Sequence, residues 1–143
     1  MPAIDKIHNA VRNALIKDGW TITHDPYVIR FEEVTLFADL AAERTLAVER
    51  EGRKIVVEIK SFGGASPIQD LKVMLGQYDL YRGFLEIIDP NRQLYLAISE
   101  TSYQNLFSQR AIQMIMQRYQ LPLIIVRLTT EEIIAWIPRP TAP

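Results

Sequence analysis

The stretch "KIVVEIKSF", Lys54 to Phe62, reads as the middle strand of a buried sheet as far as Val57. It then carries an acid and a base, Glu58 and Lys60, two residues apart. Side chains alternate across a strand, so Glu58 and Lys60 share one face while Val57 and Ile59 point the other way into apolar packing. The plain alternative is a strand end emerging into solvent, with two charges that partly neutralise each other. The flanking sequence places the strand. "EREGRK" (Glu49 to Lys54) has the charge and the glycine of a hairpin turn, which joins Thr45–Glu49 to Lys54–Ser61. "GGASP" (Gly63 to Pro67) ends the sheet segment.

Downstream the period changes from strand to helix and back. Ile68 to Ile87 predicts a helix, with Ile68, Leu71, Leu75, Leu80 and Phe84 among its apolar positions. "DPNR" (Asp89 to Arg92) is a turn, Gln93 to Ser99 a strand, and Thr101 to Tyr119 one long amphipathic helix. Leu121 to Leu128 and Ile133 to Ile137 are the last strands. Upstream, Ile4 to Lys17 places Ile4, Ile7, Val11, Ala14 and Leu15 on one helical stripe, and Asp18-Gly19 stops it. Trp20 to Thr23 and Val28 to Phe31 are short extended pieces around a turn at "HDPY" (His24 to Tyr27). Val34 to Glu49 mixes β-branched residues with helix formers at Leu40 to Arg44.

An antiparallel hairpin followed by helix–strand alternation implies an α/β domain, a mixed β-sheet flanked by helices. Residues 1–138 are expected to form one domain, and the tail at 139–143, within "PRPTAP", to fray. With 143 residues the chain can enclose a core without staples. Almost half of it is apolar, it has no cysteine, and its two histidines, His8 and His24, are too few for a histidine-rich metal site. No apolar run approaches a membrane span and no signal segment opens the chain, so a cytoplasmic protein is expected, with no membrane partner. The net charge of −1 argues against a general nucleic-acid coat, though one local basic face could still touch DNA.

Asp39 in "LFADL" is a second carboxylate amid apolar letters. An Asp and a Glu converging at a sheet edge offer the hard oxygen ligands that Mg²⁺ takes, and the carbonyl of Ile59 would point to the same place. A lysine beside them could hold or deprotonate an attacking water and offset charge building on a phosphate. Gln77 and Tyr81, four apart in "GQYDLY", share a helical face that could look at this site. Straight pairing back from the hairpin turn would set Glu58 against about Thr45, so a bend around Leu40 to Arg44 is what returns Asp39. Without it, Glu49 or Glu43 is the nearer acid. His8 reads as a ligand or proton carrier, or as a satisfied helix-face histidine; His24 reads as structural.

Together, Asp39, "EIK" at Glu58 to Lys60 and "QYDLY" at Gln77 to Tyr81 resemble the core of the PD-(D/E)XK nuclease superfamily. Its members include restriction endonucleases, Holliday-junction resolvases and RecB-type nucleases, the last with a similar Gln-x-x-x-Tyr helix. More closely, the whole chain resembles the fdxN element excision controlling factor family, XisH, of cyanobacteria. The stretches that carry this are Met1 to Pro26, Ala38 to Phe62, Leu75 to Arg82 ("LGQYDLYR") and Met116 to Val126 ("MQRYQLPLIIV"). The resemblance implies a restriction-endonuclease-like sheet. It also implies a helper in programmed excision of a DNA element during heterocyst differentiation, distinct from the recombinase and working with a companion protein, XisI. On that pattern Asp39, Glu58 and the carbonyl of Ile59 would hold Mg²⁺, with Mn²⁺ as a substitute, and Lys60, Gln77 and Tyr81 would complete the site. The alternative is a catalytically inactive nuclease fold that binds the companion and regulates the recombinase. DNA and a second copy of the chain, as a homodimer, stay open as partners.

Overall fold

The computed structural model describes residues 3–25, 27–36, 44–62 and 66–137. Asp39, Glu43, Gly63 to Ala65 and the tail from residue 138 lie outside the described residues. The chain opens with helix α1 (Ala3–Lys17). Gly19, at φ +93°, ends it: Gly19 N–H donates to the Ile16 carbonyl and Trp20 N–H to the Leu15 carbonyl, both at 3.0 Å. This is the paired closure of a Schellman end, and the buried Leu15 and Trp20 pack together inside it. Strands β1 (Thr21–His24), β2 (Ile29–Phe31), β3 (Val34–Leu36), β4 (Arg44–Arg50) and β5 (Arg53–Ile59) follow. Then come helix α2 (Pro67–Ile88), β6 (Arg92–Ser99), the helical turn α3 (Glu100–Ser102), a π-helical segment (Tyr103–Phe107), α4 (Arg110–Tyr119), β7 (Leu123–Arg127) and β8 (Glu132–Ile137).

Six strands form one sheet in the order β1-β4-β5-β6-β7-β8. β5, β6 and β7 run parallel at its centre, with antiparallel partners on either side. The β4–β5 hairpin turns at Glu51 (φ 52°) and Gly52 (φ 79°), the two left-handed residues of a type I′ turn. Its register sets Thr45 opposite Glu58, the arrangement in which only a bend ahead of Arg44 could return Asp39 to Glu58. β2 and β3 form a separate hairpin, and Phe31 lies against Phe84 of α2, with ring centroids 6.2 Å apart.

Helices cover both faces. On one, α1 and Trp20 pack on Val48, Ile55, Val57, Ile59, Ala97, Ile124 and Val126. On the other, α2, the π-helical segment and α4 pack on Val56, Leu94, Leu96, Ile98, Leu123 and Ile125. This is a restriction-endonuclease-like mixed sheet flanked by helices. No helix among the described residues is long and apolar enough to cross a membrane.

Two expectations need correction. The long helix over Thr101 to Tyr119 is broken. Ser108 Oγ donates to the Gln104 carbonyl and Gln109 Nε2 to the Asn105 carbonyl at 3.0 Å, so side chains take acceptors that the helical backbone would use. Gln109 then adopts an extended conformation before α4 starts, and the adjacent Leu106 and Phe107 both turn inward. On α2 the buried stripe is Leu71, Met74, Tyr78, Tyr81 and Leu85. Leu80 faces outward, 54% exposed, because the tyrosines supply the larger apolar surfaces at that level of the helix.

Candidate functional site

β5 lies in the sheet between β4 and β6, so both its edges are paired, and helices cover both its faces. Alternation sends Val57 and Ile59 beneath α1 and leaves Glu58 and Lys60 on the side of Val56, facing α2. There Glu58 is 1% exposed and Lys60 6%. Neither lacks a partner. The pair therefore does not fray into water: two ionisable side chains are held in the interior at the end of the central strand. Glu58 pairs in register with Leu96 of β6, an apolar neighbour on the same face. Lys60 N–H donates to the Ala97 carbonyl at 3.1 Å, extending the parallel ladder one residue past β5. Ile59 buries its side chain on the α1 side, so its carbonyl is the one group it can offer.

α2 is set over this face by its start. Ser66 Oγ accepts the Gln69 N–H at 3.3 Å, and Pro67 occupies the first turn, where its missing N–H is not needed. Tyr81 is buried in the core beneath the helix and has a partner. Gln77 sits at the edge of the buried stripe, with its Oε1 buried and lacking a hydrogen-bond partner among the described residues. Gln77 and Tyr81 thus both lie on the helix that covers Glu58.

Sequence reasoning missed Tyr78, one residue beyond Gln77. Its phenol pKa is raised, first by burial, with Arg82 opposing and the charges of Glu58 and Asp79 adding to the rise. Tyr78 is accordingly an α2 side chain that feels the charge of Glu58. The three-four spacing of Leu71, Met74, Tyr78, Tyr81 and Leu85 would have found it. Ser99 was missed too; buried where β6 ends, it accepts the Ser102 N–H at 3.0 Å and donates to Ser102 Oγ at 3.1 Å. Beside it Glu100 grips Arg127 with two bonds of 3.1 Å, and this guanidinium holds the Glu100 carboxyl below its ordinary pKa.

The other candidates part company with the site. Asp39 and Glu43 lie outside the described residues, as does most of the bend at Leu40 to Arg44; β4 begins at Arg44, opposite Ile59. Glu49 pairs with Lys54, four residues and roughly 13 Å along the strand from Glu58, and forms ion pairs with Lys54 and Arg92. It cannot be the second acid. His8 Nε2 meets Asp25 Oδ1 at 3.0 Å, and Arg12 holds the other Asp25 oxygen at 3.3 Å, which ties α1 to the loop after β1. His24 packs edge-on against Tyr27. Both histidines have structural contacts. Among the described residues, no group of three or more His, Cys, Asp or Glu side chains could hold a metal by itself.

A family model described as XisH protein matches residues 1–134. The chain belongs to the XisH family. Solved structures agree over nearly the whole length. One is a crystal structure of an fdxN element excision controlling factor protein from Anabaena variabilis: 38% identity, 93% of this chain and 98% of that one covered, TM-score 0.85. Another is an XisH family protein from Nostoc punctiforme, with 38% identity, 92% and 98% coverage, and a TM-score of 0.84. No curated protein matches the chain. The XisH family thus takes in the Glu58–Lys60 strand, the Gln77–Tyr81 helix and the segment that carries Asp39.

Proposed function

We propose that this XisH family chain acts as a controlling factor in programmed excision of a DNA element, of the fdxN type, through a Mg²⁺-dependent DNA endonuclease site on its restriction-endonuclease-like fold. The observation that carries this reading is the burial of Glu58 and Lys60 side by side on the α2 face of the central strand. Burying two charges costs several kcal/mol apiece before their mutual attraction is counted, at an order-of-magnitude level, and an apolar pair would pack there without that cost. A carboxylate at the end of a parallel strand suits a hard cation, and a lysine two residues on suits the phosphate such a cation would hold. Asp39, Glu58 and the Ile59 carbonyl would hold Mg²⁺ or Mn²⁺. When bound, the ion polarises the phosphodiester and makes a coordinated water more acidic. Lys60 holds that water by hydrogen bonding and offsets charge developing on the phosphate. Tyr81 and Gln77 fix the α2 wall against which Glu58 is oriented, with the Gln77 Oε1 available to a donor entering the site. In the hydrolysis, the water oxygen bonds to phosphorus, the ester P–O bond breaks, and the leaving oxygen takes a proton.

The test is cleavage of branched, single-stranded and duplex DNA by the purified chain with Mg²⁺ or Mn²⁺. We expect metal-dependent cleavage of at least one substrate, reduced by about 10²-fold or more in Lys60→Ala. Cleavage of none of them, with or without a companion protein, removes the enzyme reading.

A second reading has its own observation. On α4, Ile112 and Met116 are buried while Met114 is 60% exposed and Ile115 also reaches solvent. These apolar side chains suit an inactive nuclease fold that binds an XisI-like companion and regulates the recombinase. Co-purification lost on Met114→Glu, in a chain without cleavage activity, would favour it.

A further inference from the structure

A cleft of about 330 Å³ opens at the end of the sheet where β6 begins, beside the C-terminal part of α2 and the residues that close α4. It lies at the end of the strands opposite the Glu58–Lys60 site: Arg92 pairs with Lys54, whereas Glu58 pairs with Leu96 further along. Arg82 and Arg92 are among its lining residues, together with Asn91, Gln93 and Gln120.

Both arginines are fixed in place. Arg92 is only 7% exposed; its Nε donates to Asp89 Oδ2 at 2.7 Å, its Nη2 lies 3.7 Å from Glu49 Oε1, and the group sits over the Tyr27 ring at 5.3 Å. Its Nη1 is buried and has no hydrogen-bond partner among the described residues. A ring against the flat face of a guanidinium leaves the in-plane N–H donors unspent, and a buried donor without an acceptor carries its full desolvation cost. Arg82 donates Nη1 to the Tyr119 carbonyl at 3.2 Å and lies over the Tyr78 ring at 5.6 Å. Its side chain also hydrogen-bonds Tyr78, and its fork holds further donors beyond these two bonds. Asp89 and Glu49 are taken up by Arg92, and Glu86, an exposed residue, is the one carboxylate among the described lining residues.

We infer that this cleft binds a small phosphorylated anion, of nucleoside monophosphate size, with Arg82 and Arg92 as its oxyanion contacts. Two pre-positioned guanidiniums suit a group with several acceptor oxygens, and the volume falls at the lower end of the range for small-molecule sites. The three lining amides can take the polar groups of the rest of the molecule. The cleft uses none of Asp39, Glu58 or Lys60, so it stands whether or not the chain cleaves DNA.

Isothermal titration of the full chain with inorganic phosphate and with AMP tests it. Saturable one-site binding of both is expected, tighter for AMP, and weakened about tenfold or more in Arg82→Gln. Gln120→Glu provides a second variant at an exposed position. It should weaken both ligands by at least as much through charge repulsion, while the melting temperature stays near that of the unsubstituted chain. No saturation by either ligand at millimolar concentration overturns the inference, and so does unchanged affinity in Gln120→Glu. AMP binding no tighter than phosphate overturns the size assignment.

Discussion

Two side chains decide how this chain is read. Glu58 and Lys60 stand out in "KIVVEIKSF" because an acid and a base interrupt an apolar strand, and alternation alone assigns them to one face. Their near-complete burial was not legible, because it depends on α2 closing over that face from elsewhere in the sequence. Replacing the pair with apolar side chains tests whether it is kept for function. Glu58→Leu with Lys60→Met should leave stability unchanged or raise it by about 1–4 kcal/mol in urea denaturation, while Glu58→Leu alone, which keeps the Lys60 charge buried and removes the neighbouring carboxylate, should lower it. A double variant less stable than the single one would show the pair to be structural. The buried phenols give a second prediction. Tyr27, Tyr78 and Tyr95 all have raised pKa values, with burial as the first cause. The fold thus favours their neutral form, while the unfolded chain ionises them near the ordinary value of about 10. Stability should be intact below about pH 10 and fall as pH rises through that value toward the folded phenol pKa values, seen as a declining urea midpoint. A flat midpoint across that range would contradict it.

The elements were mostly written locally. Asp18-Gly19 stops α1 because glycine takes the left-handed turn, and Glu51-Gly52 closes the β4–β5 hairpin for the same reason. Where such a signal is missing, the reading failed. Nothing in "SYQNLFSQR" breaks a helical pattern as glycine or proline would, yet local side-chain hydrogen bonds from Ser108 and Gln109 interrupt it. α4 ends on Gln120 at φ 51°, with Leu121 N–H donating to the Met116 carbonyl at 3.2 Å, so a non-glycine residue occupies the position that glycine favours. Gln120→Gly should therefore stabilise the chain by about 0.5–1 kcal/mol, as a rise in the urea midpoint at constant slope. A loss of stability would mean that the Gln120 side chain contributes more than its backbone strain costs.

At the scale of the molecule, helix–strand alternation gave the mixed sheet, because parallel neighbours such as β5 and β6 need a crossover helix between them. It could not place the β2–β3 hairpin, which leaves the main sheet and packs on α2 through Phe31 and Phe84. Nor could pattern reading weigh the resemblance that the whole-length match to the XisH family now makes secure. The proposed site draws on strand β5 and helix α2, two parts of the chain brought together by the crossover. In the proposed function, Glu58 is a ligand to a divalent cation. Calorimetric titration of the full chain with Mn²⁺ tests this most directly, comparing the unsubstituted protein with Glu58→Gln after circular dichroism shows both to be folded. One saturable site, weakened about tenfold or more by the substitution, is the predicted result. No binding, or equal binding by the two proteins, would contradict it.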